Sequence, residues 1–163
     1  MKILVIGHAR HGKDTLCDML AKEGYNFKPT SEIYMDSIVW PIWSGQYKDK
    51  DEAIADKVNR RQELFQIIRS YNSPDRSKLT KLVLSQSDIY SGMRARIEFE
   101  ASKHLFDLIL WVDAEKRLPL ESTNSFQLDK GDAQVVLDNN LSENHLQDQV
   151  NNLMSLIKTL QGK

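Results

Sequence analysis

With 163 residues, the chain has the length of one domain and can bury a core without disulfide or metal staples. Its 22 Lys and Arg against 23 Asp and Glu leave a net charge of -1, which argues against a dedicated polynucleotide binder, and one cysteine excludes an internal disulfide or a Cys-rich zinc site. At 40% hydrophobic and 28% charged the chain is not disordered, and no uncharged stretch approaches the roughly 18 apolar residues that span a bilayer. Met1-Lys2 and the short apolar run after it do not read as a secretory signal. The expectation is a cytoplasmic domain, monomeric or homodimeric, with neither a membrane nor a nucleic-acid polymer as partner.

Ile3-Leu4-Val5-Ile6 is a continuous apolar run ending at Gly7, the pattern of a strand covered on both faces. A helix is expected from about Lys13, with Leu16, Met19 and Leu20 on one face and Gly24 as its C-terminal cap. Tyr25 to Lys28, closed by Pro29, is a short strand candidate. Residues 31 to about 73 are mostly helical in pattern, with Pro41 at a break or first turn, and Pro74-Asp75 opens a helix through Leu79, Leu82 and Val83. Further strands are expected at Asp88 to Ser91, Leu108 to Val112 and Gln134 to Leu137, with a helix from about Arg94 to His104. Ser142 is the expected N-cap of a last helix, with Leu141 stapled onto Leu146 and a stripe of Leu146, Val150, Leu153, Ile157 and Leu160. Strands alternating with helices imply right-handed βαβ units, a parallel sheet, and ligands at the carboxyl ends of its strands.

The first such end is Gly7-His8-Ala9-Arg10-His11-Gly12-Lys13-Asp14-Thr15, which fits the phosphate-binding pattern G-x-x-x-x-G-K between a strand and a helix. Glycines let the loop wrap closely, successive N–H groups form an anion nest, the helix N-terminus adds positive charge, and Lys13 reaches the outer phosphates. Asp14 follows where Ser or Thr commonly contacts Mg²⁺; a carboxylate is also a hard oxygen ligand, and Thr15 is adjacent. His8 and His11 are expected to line the loop and donate to phosphate. Cys17 reads as an inert core residue.

The chain has no N-K-x-D guanine-reading motif and too few residues for a motor-type ATPase, which leaves a small phosphotransferase. Gly7 to Thr15 resembles the same loop of the bacteriophage deoxynucleoside monophosphate kinases, and of the related dephospho-CoA and phosphomevalonate kinases. Ser91-Gly92-Met93-Arg94-Ala95-Arg96-Ile97-Glu98 is similar to their D-G-x-R-x-x-x-E segment, and Ala133 to Ser142 to their A-D-x-V-I-D-N-x-G-S segment. The resemblance implies a three-layer α/β P-loop sandwich of about five parallel strands. Its core would be residues 1–30 and 88–163, with a helical acceptor-binding insert at 31–87 and a short lid at 117–132.

It further implies transfer of the ATP γ-phosphoryl to a (deoxy)nucleoside monophosphate with Mg²⁺. Lys13, Arg94 and Arg117 would neutralise developing charge, and Gly7 to Thr15 with Asn139 would hold ATP. Ser31, Asp36, Arg61, Arg94 and Glu98 would hold the acceptor, and Asp14 the metal. Arg61 also falls in the helical stripe Ile54, Val58, Phe65 and Ile68, where a buried guanidinium needs an anionic partner. Arg94 could instead make an i,i+4 pair with Glu98. Trp40, Trp43 and Tyr47 are candidates for stacking on a base. Ser91 departs from the family's acidic residue, for which Asp88 or Asp113 would substitute, and the lid lacks the arginines of a long one. The alternatives are a kinase of another small metabolite and a nucleotide-binding sensor without transferase activity.

Overall fold

The computed structural model describes residues 1–162. Strands β1 (Ile3–Ile6), β2 (Ile89–Ser91), β3 (Leu108–Asp113) and β4 (Val135–Asp138) form one parallel sheet in the order β2-β1-β3-β4. Ile3 pairs with Ile89 on one side and Leu108 on the other, and Leu110 pairs with Val135. The central β1 is buried throughout, as its unbroken apolar run requires.

The strand alternation sorts the side chains into two layers. Ile3 and Val5, with Ile89, Leu110 and Val112, face α1 (Lys13–Lys22) and the C-terminal helix Glu143–Leu160, which meet them through Leu16, Leu20, Leu146 and Val150. Leu4 and Ile6, with Tyr90, Ile109 and Trp111, face the other way. They pack against the helices Thr30–Tyr34 (α2), Lys78–Gln86 and Arg96–Ser102, and against Phe126 and Leu128 from the segment after β3. Each fully buried aliphatic side chain of this kind contributes about 1.5–3 kcal/mol.

Between α2 and the helix ending at Gln86 lie a π-helical turn at Met35–Val39, α3 (Trp40–Trp43), α4 (Lys50–Asp56) and α5 (Arg61–Tyr71). The remaining helices are then α6 (Lys78–Gln86), α7 (Arg96–Ser102) and α8 (Glu143–Leu160). Met35, Val39, Trp43 and Ala53 give the insert a small core of its own. Pro41 is the second residue of α3, directly after the π-helical turn at Met35–Val39. Gly24, at φ +100°, follows α1 as expected of a left-handed terminator, and the Ser142 hydroxyl accepts from His145 N–H at the head of α8.

Three expectations are corrected. The sheet has four strands rather than about five, because residues 25–28 are irregular. That segment lies beside β2, but Asn26 N–H and Lys28 N–H donate to the Asp88 and Ser87 side chains instead of to a ladder. The stripe of Ile54, Val58, Phe65 and Ile68 is not one helix face: the chain turns between α4 and α5, leaving Val58 55% and Phe65 59% exposed. Leu141 is also exposed while Leu146 is buried, so the staple is not made.

Candidate functional site

The loop Gly7–Gly12 joins the carboxyl end of β1 to α1, and two glycines are required there for different reasons. A Cβ on Gly7 would lie 2.7 Å from the Val112 carbonyl oxygen, so only glycine lets the loop cross β3 this closely. Gly12 sits at φ +103°, and a Cβ there would collide with the Asn139 side-chain amide. Arg10 also takes a left-handed φ of 62°, which bends the loop back on itself.

The head of α1 has no side-chain cap. Among the described residues, the N–H groups of Gly12, Lys13, Asp14 and Thr15 have no backbone acceptor. They carry the partial positive charge of a helix N-terminus. Arg10, Gly12, Lys13, Asp14 and Thr15 surround a depression of about 180 Å³ at this point. The Lys13 ammonium lies back across the loop, donating to the Gly7 and His8 carbonyls, both at 2.8 Å. Burial, and then the nearby Arg94 guanidinium, lower its pKa. An anion placed beside it offsets that penalty.

A second space of about 400 Å³ opens from the same two residues, Lys13 and Asp14. One wall is Pro29, Ser31 and Tyr34 at α2. The other carries Phe65 and Ile68 of α5, Tyr90 and Ser91 of β2, then Arg94 and Glu98. Glu98 accepts from the Tyr90 hydroxyl at 2.7 Å. Burial raises its pKa, against the Tyr90 hydrogen bond. A further space of about 350 Å³ shares Phe65, Ile68, Leu79, Ala95 and Glu98 with it and adds Arg69, Asn72, Arg76 and Gln127.

The expected residues divide on this geometry. Lys13, Asp14, Ser31, Arg94 and Glu98 line the larger space. Asp36 does not: Lys28 and Lys50 bind its two oxygens at 3.0 and 2.6 Å. Arg61, expected on a buried stripe, is exposed at the first position of α5 and lines none of these spaces, because the turn after α4 rotates it outward. Its neighbour Arg60 turns inward, with its guanidinium 4.1 Å from the Trp43 ring centroid and an ion pair to Glu63. That contact and a buried Trp43 place Trp43 and Tyr47 in the insert's own core rather than in the cleft. Arg94 pairs with Glu121, and not with Glu98, because α7 starts only at Arg96. Arg117 is exposed and donates to the Asn139 carbonyl at 2.7 Å, lining neither space. Asp113 is engaged by Lys130 at 2.8 Å, and Asp88 by Lys2 at 2.9 Å, so neither carboxylate faces the loop free of a partner.

Asn139 and the two histidines support the loop instead of facing a ligand. Asn139 donates to the His11 carbonyl at 2.8 Å. His11 is fully buried; its Nδ1 accepts from Ala114 N–H at 3.1 Å, which assigns the proton to Nε2, 3.2 Å from the Pro119 carbonyl. His8 Nδ1 accepts from Glu121 N–H at 3.0 Å, and burial lowers its pKa. The His11 ring thus donates away from the depression, and neither histidine lines it. Burial pushes the Cys17 thiol up to about 12, which keeps it unreactive.

Among the described residues no group of three or more His, Cys, Asp and Glu is arranged to hold a metal. Asp14 is exposed, and with Thr15 lines the 180 Å³ depression; these are hard oxygen donors beside an anion cradle. Sequence reasoning missed Glu121, Tyr34 and Phe65, and left Arg69 and Arg76 without a role. Phe65 was visible in a periodic stripe, but nothing local marks Glu121. Neither the protein-family models nor the curated proteins contain a match to this chain.

Proposed function

We propose that this protein is a P-loop phosphotransferase that passes the γ-phosphoryl of ATP to a phosphate group of a nucleoside monophosphate, in particular a deoxynucleotide. One observation carries the reading: the depression at the head of α1 and the 400 Å³ cleft meet at Lys13 and Asp14. A polyphosphate on the loop amides thus ends where a second ligand in the cleft begins, which is the proximity a direct transfer needs.

In this reading, the free amides at the start of α1 cradle the donor phosphates. Lys13 leaves the Gly7 and His8 carbonyls for the phosphate oxygens. Arg94 grips the acceptor phosphate from the far wall. Tyr34, Phe65 and Ile68 flank the acceptor's apolar part. An acceptor phosphate oxygen attacks the γ-phosphorus, and the bond to the β–γ bridging oxygen breaks with its electrons leaving on ADP. The acceptor is already ionised at neutral pH, so no general base is required. Mg²⁺, for which Asp14 and Thr15 are the fitting donors, would supply charge neutralisation on the donor phosphates.

A second reading has one observation in its favour. The cleft continues into the 350 Å³ space with Arg69 and Arg76, room for an acceptor larger than a mononucleotide, such as dephospho-CoA. A coupled ADP-release assay with Mg·ATP against the common ribo- and deoxynucleoside monophosphates and dephospho-CoA tests both. ADP release that depends on one or more nucleotides is the expected result. Release with dephospho-CoA alone selects the larger acceptor, and none with any acceptor removes the transferase reading.

A further inference from the structure

The segment after β3 brings a carboxylate to the loop. Glu121 Oε2 accepts from Ala9 N–H at 2.7 Å, and Oε1 is ion-paired with Arg94. The Glu121 peptide is fixed as well, through the His8 Nδ1 bond, and Phe126 packs its ring 4.7 Å from His8 and 5.7 Å from Trp111. The pairing with Arg94 and the Ala9 amide lowers the Glu121 pKa in spite of burial, so the group is an anion at neutral pH. A backbone N–H of the loop and the arginine that lines the cleft with Lys13 are donors of the kind a bound phosphate uses. Here both are held by one side chain of the chain itself.

Resting on the phosphotransferase reading, we propose that Glu121 is an internal anion that occupies these donors in the ligand-free protein and yields them to a phosphate group of the bound ligand. A phosphate seated on Ala9 N–H would lie against the Glu121 carboxylate, and the two anions repel. Phosphate binding therefore expels Glu121. Pro119 to Phe126, tied to the loop through His8 and His11, shifts with it. The same exchange frees Arg94, which already lines the cleft, from its carboxylate partner, so its full charge reaches the ligand only when an anion has arrived. Until then, Glu121 keeps the buried face of the loop from presenting unpaired positive charge, and keeps Arg94 from drawing stray anions.

The test is calorimetric titration of inorganic tripolyphosphate into the full chain, as wild type, Glu121→Gln and Glu100→Gln. Glu100 is an exposed acid paired with Lys103 on the surface, and it controls for net charge alone. The amide keeps the shape of the side chain and can still accept from Ala9, so the fold is retained. Glu121→Asp, which withdraws the carboxylate by one methylene, is the second variant. The expected result is tripolyphosphate binding about ten-fold tighter in Glu121→Gln than in wild type, a smaller gain in Glu121→Asp, and no gain in Glu100→Gln. In parallel, the Ala9 amide resonance should move on tripolyphosphate binding in wild type. Equal affinity of wild type and Glu121→Gln overturns the proposal and leaves the phosphate-binding reading intact. No binding by either protein removes that reading, and the proposal with it.

Discussion

His11 and Asn139 are buried and spend their polar atoms holding the Gly7–Gly12 loop, whereas Arg61 and Arg69 on the facing insert make no ion pair among the described residues. The loop side of the cleft is tied to the residues that follow β3 and β4 by hydrogen bonds that span more than a hundred residues of sequence. The insert side rests on a satellite core, and its α5 contains no fully buried residue. One wall is thus pre-shaped, as catalysis by positioning requires. The other can adjust to the ligand it receives. In the proposed function, the phosphate end of the site would be set by the fold and acceptor choice by the looser wall.

The largest effect belongs to the loop: Lys13→Met should lower the proposed phosphoryl transfer about 10²–10³-fold, the scale of losing one pre-organised charge-stabilising group. A variant keeping more than a tenth of the wild-type rate breaks the comparison at its strongest point. Next, amide hydrogen exchange should be about ten-fold or more faster in α5 than in α1, since α5 has few buried contacts to hold it closed. Uniform protection across both helices would show the insert to be as rigid as the loop side.

Gly12→Ala should cost about 1–3 kcal/mol in urea unfolding, from the left-handed backbone and the collision with Asn139. Gly45, in the insert, has no atom near a would-be Cβ, and Gly45→Ala should stay within about 0.5 kcal/mol. Glu98 supplies a pH signature. Burial holds its folded pKa above the unfolded one, so its contribution to stability is complete below the ordinary glutamate pKa and is lost as pH rises through the raised value. The urea midpoint of wild type should accordingly fall relative to Glu98→Gln as pH rises from the ordinary glutamate pKa, about 4, through the raised folded one; parallel curves would place Glu98 in solvent. The smallest effect is expected at Arg61→Ala, within about two-fold of wild type in acceptor KM, the scale of an exposed group with no partner. Arg76→Ala should raise that KM further, which sharpens the map of the looser wall.

The same contrast explains what could be read from the residues alone. The Gly7–Thr15 loop is a contiguous motif in a strand–turn–helix unit, and the alternation of apolar runs placed all four strands and the heads of α1 and α8. The strand candidate at residues 25–28 failed because its neighbours bind it through the Ser87 and Asp88 side chains, which no local pattern reports. The buried placement expected of Arg61 failed because four turn residues after Asp56 reset the helical phase, turning Arg60 rather than Arg61 inward. Glu121 was invisible for the same kind of reason. Its meaning comes from Ala9 and Arg94, 112 and 27 positions away.

The central claim is that a phosphoryl group passes between two ligands that meet at Lys13. It is tested most directly by ³¹P NMR of the protein with Mg·ATP and the best acceptor from the panel. The account predicts that the ATP γ resonance declines as a new P–O–P doublet pair of the acceptor diphosphate appears in equal amount with ADP. Growth of inorganic phosphate in place of that doublet pair, or an unchanged spectrum, would contradict it.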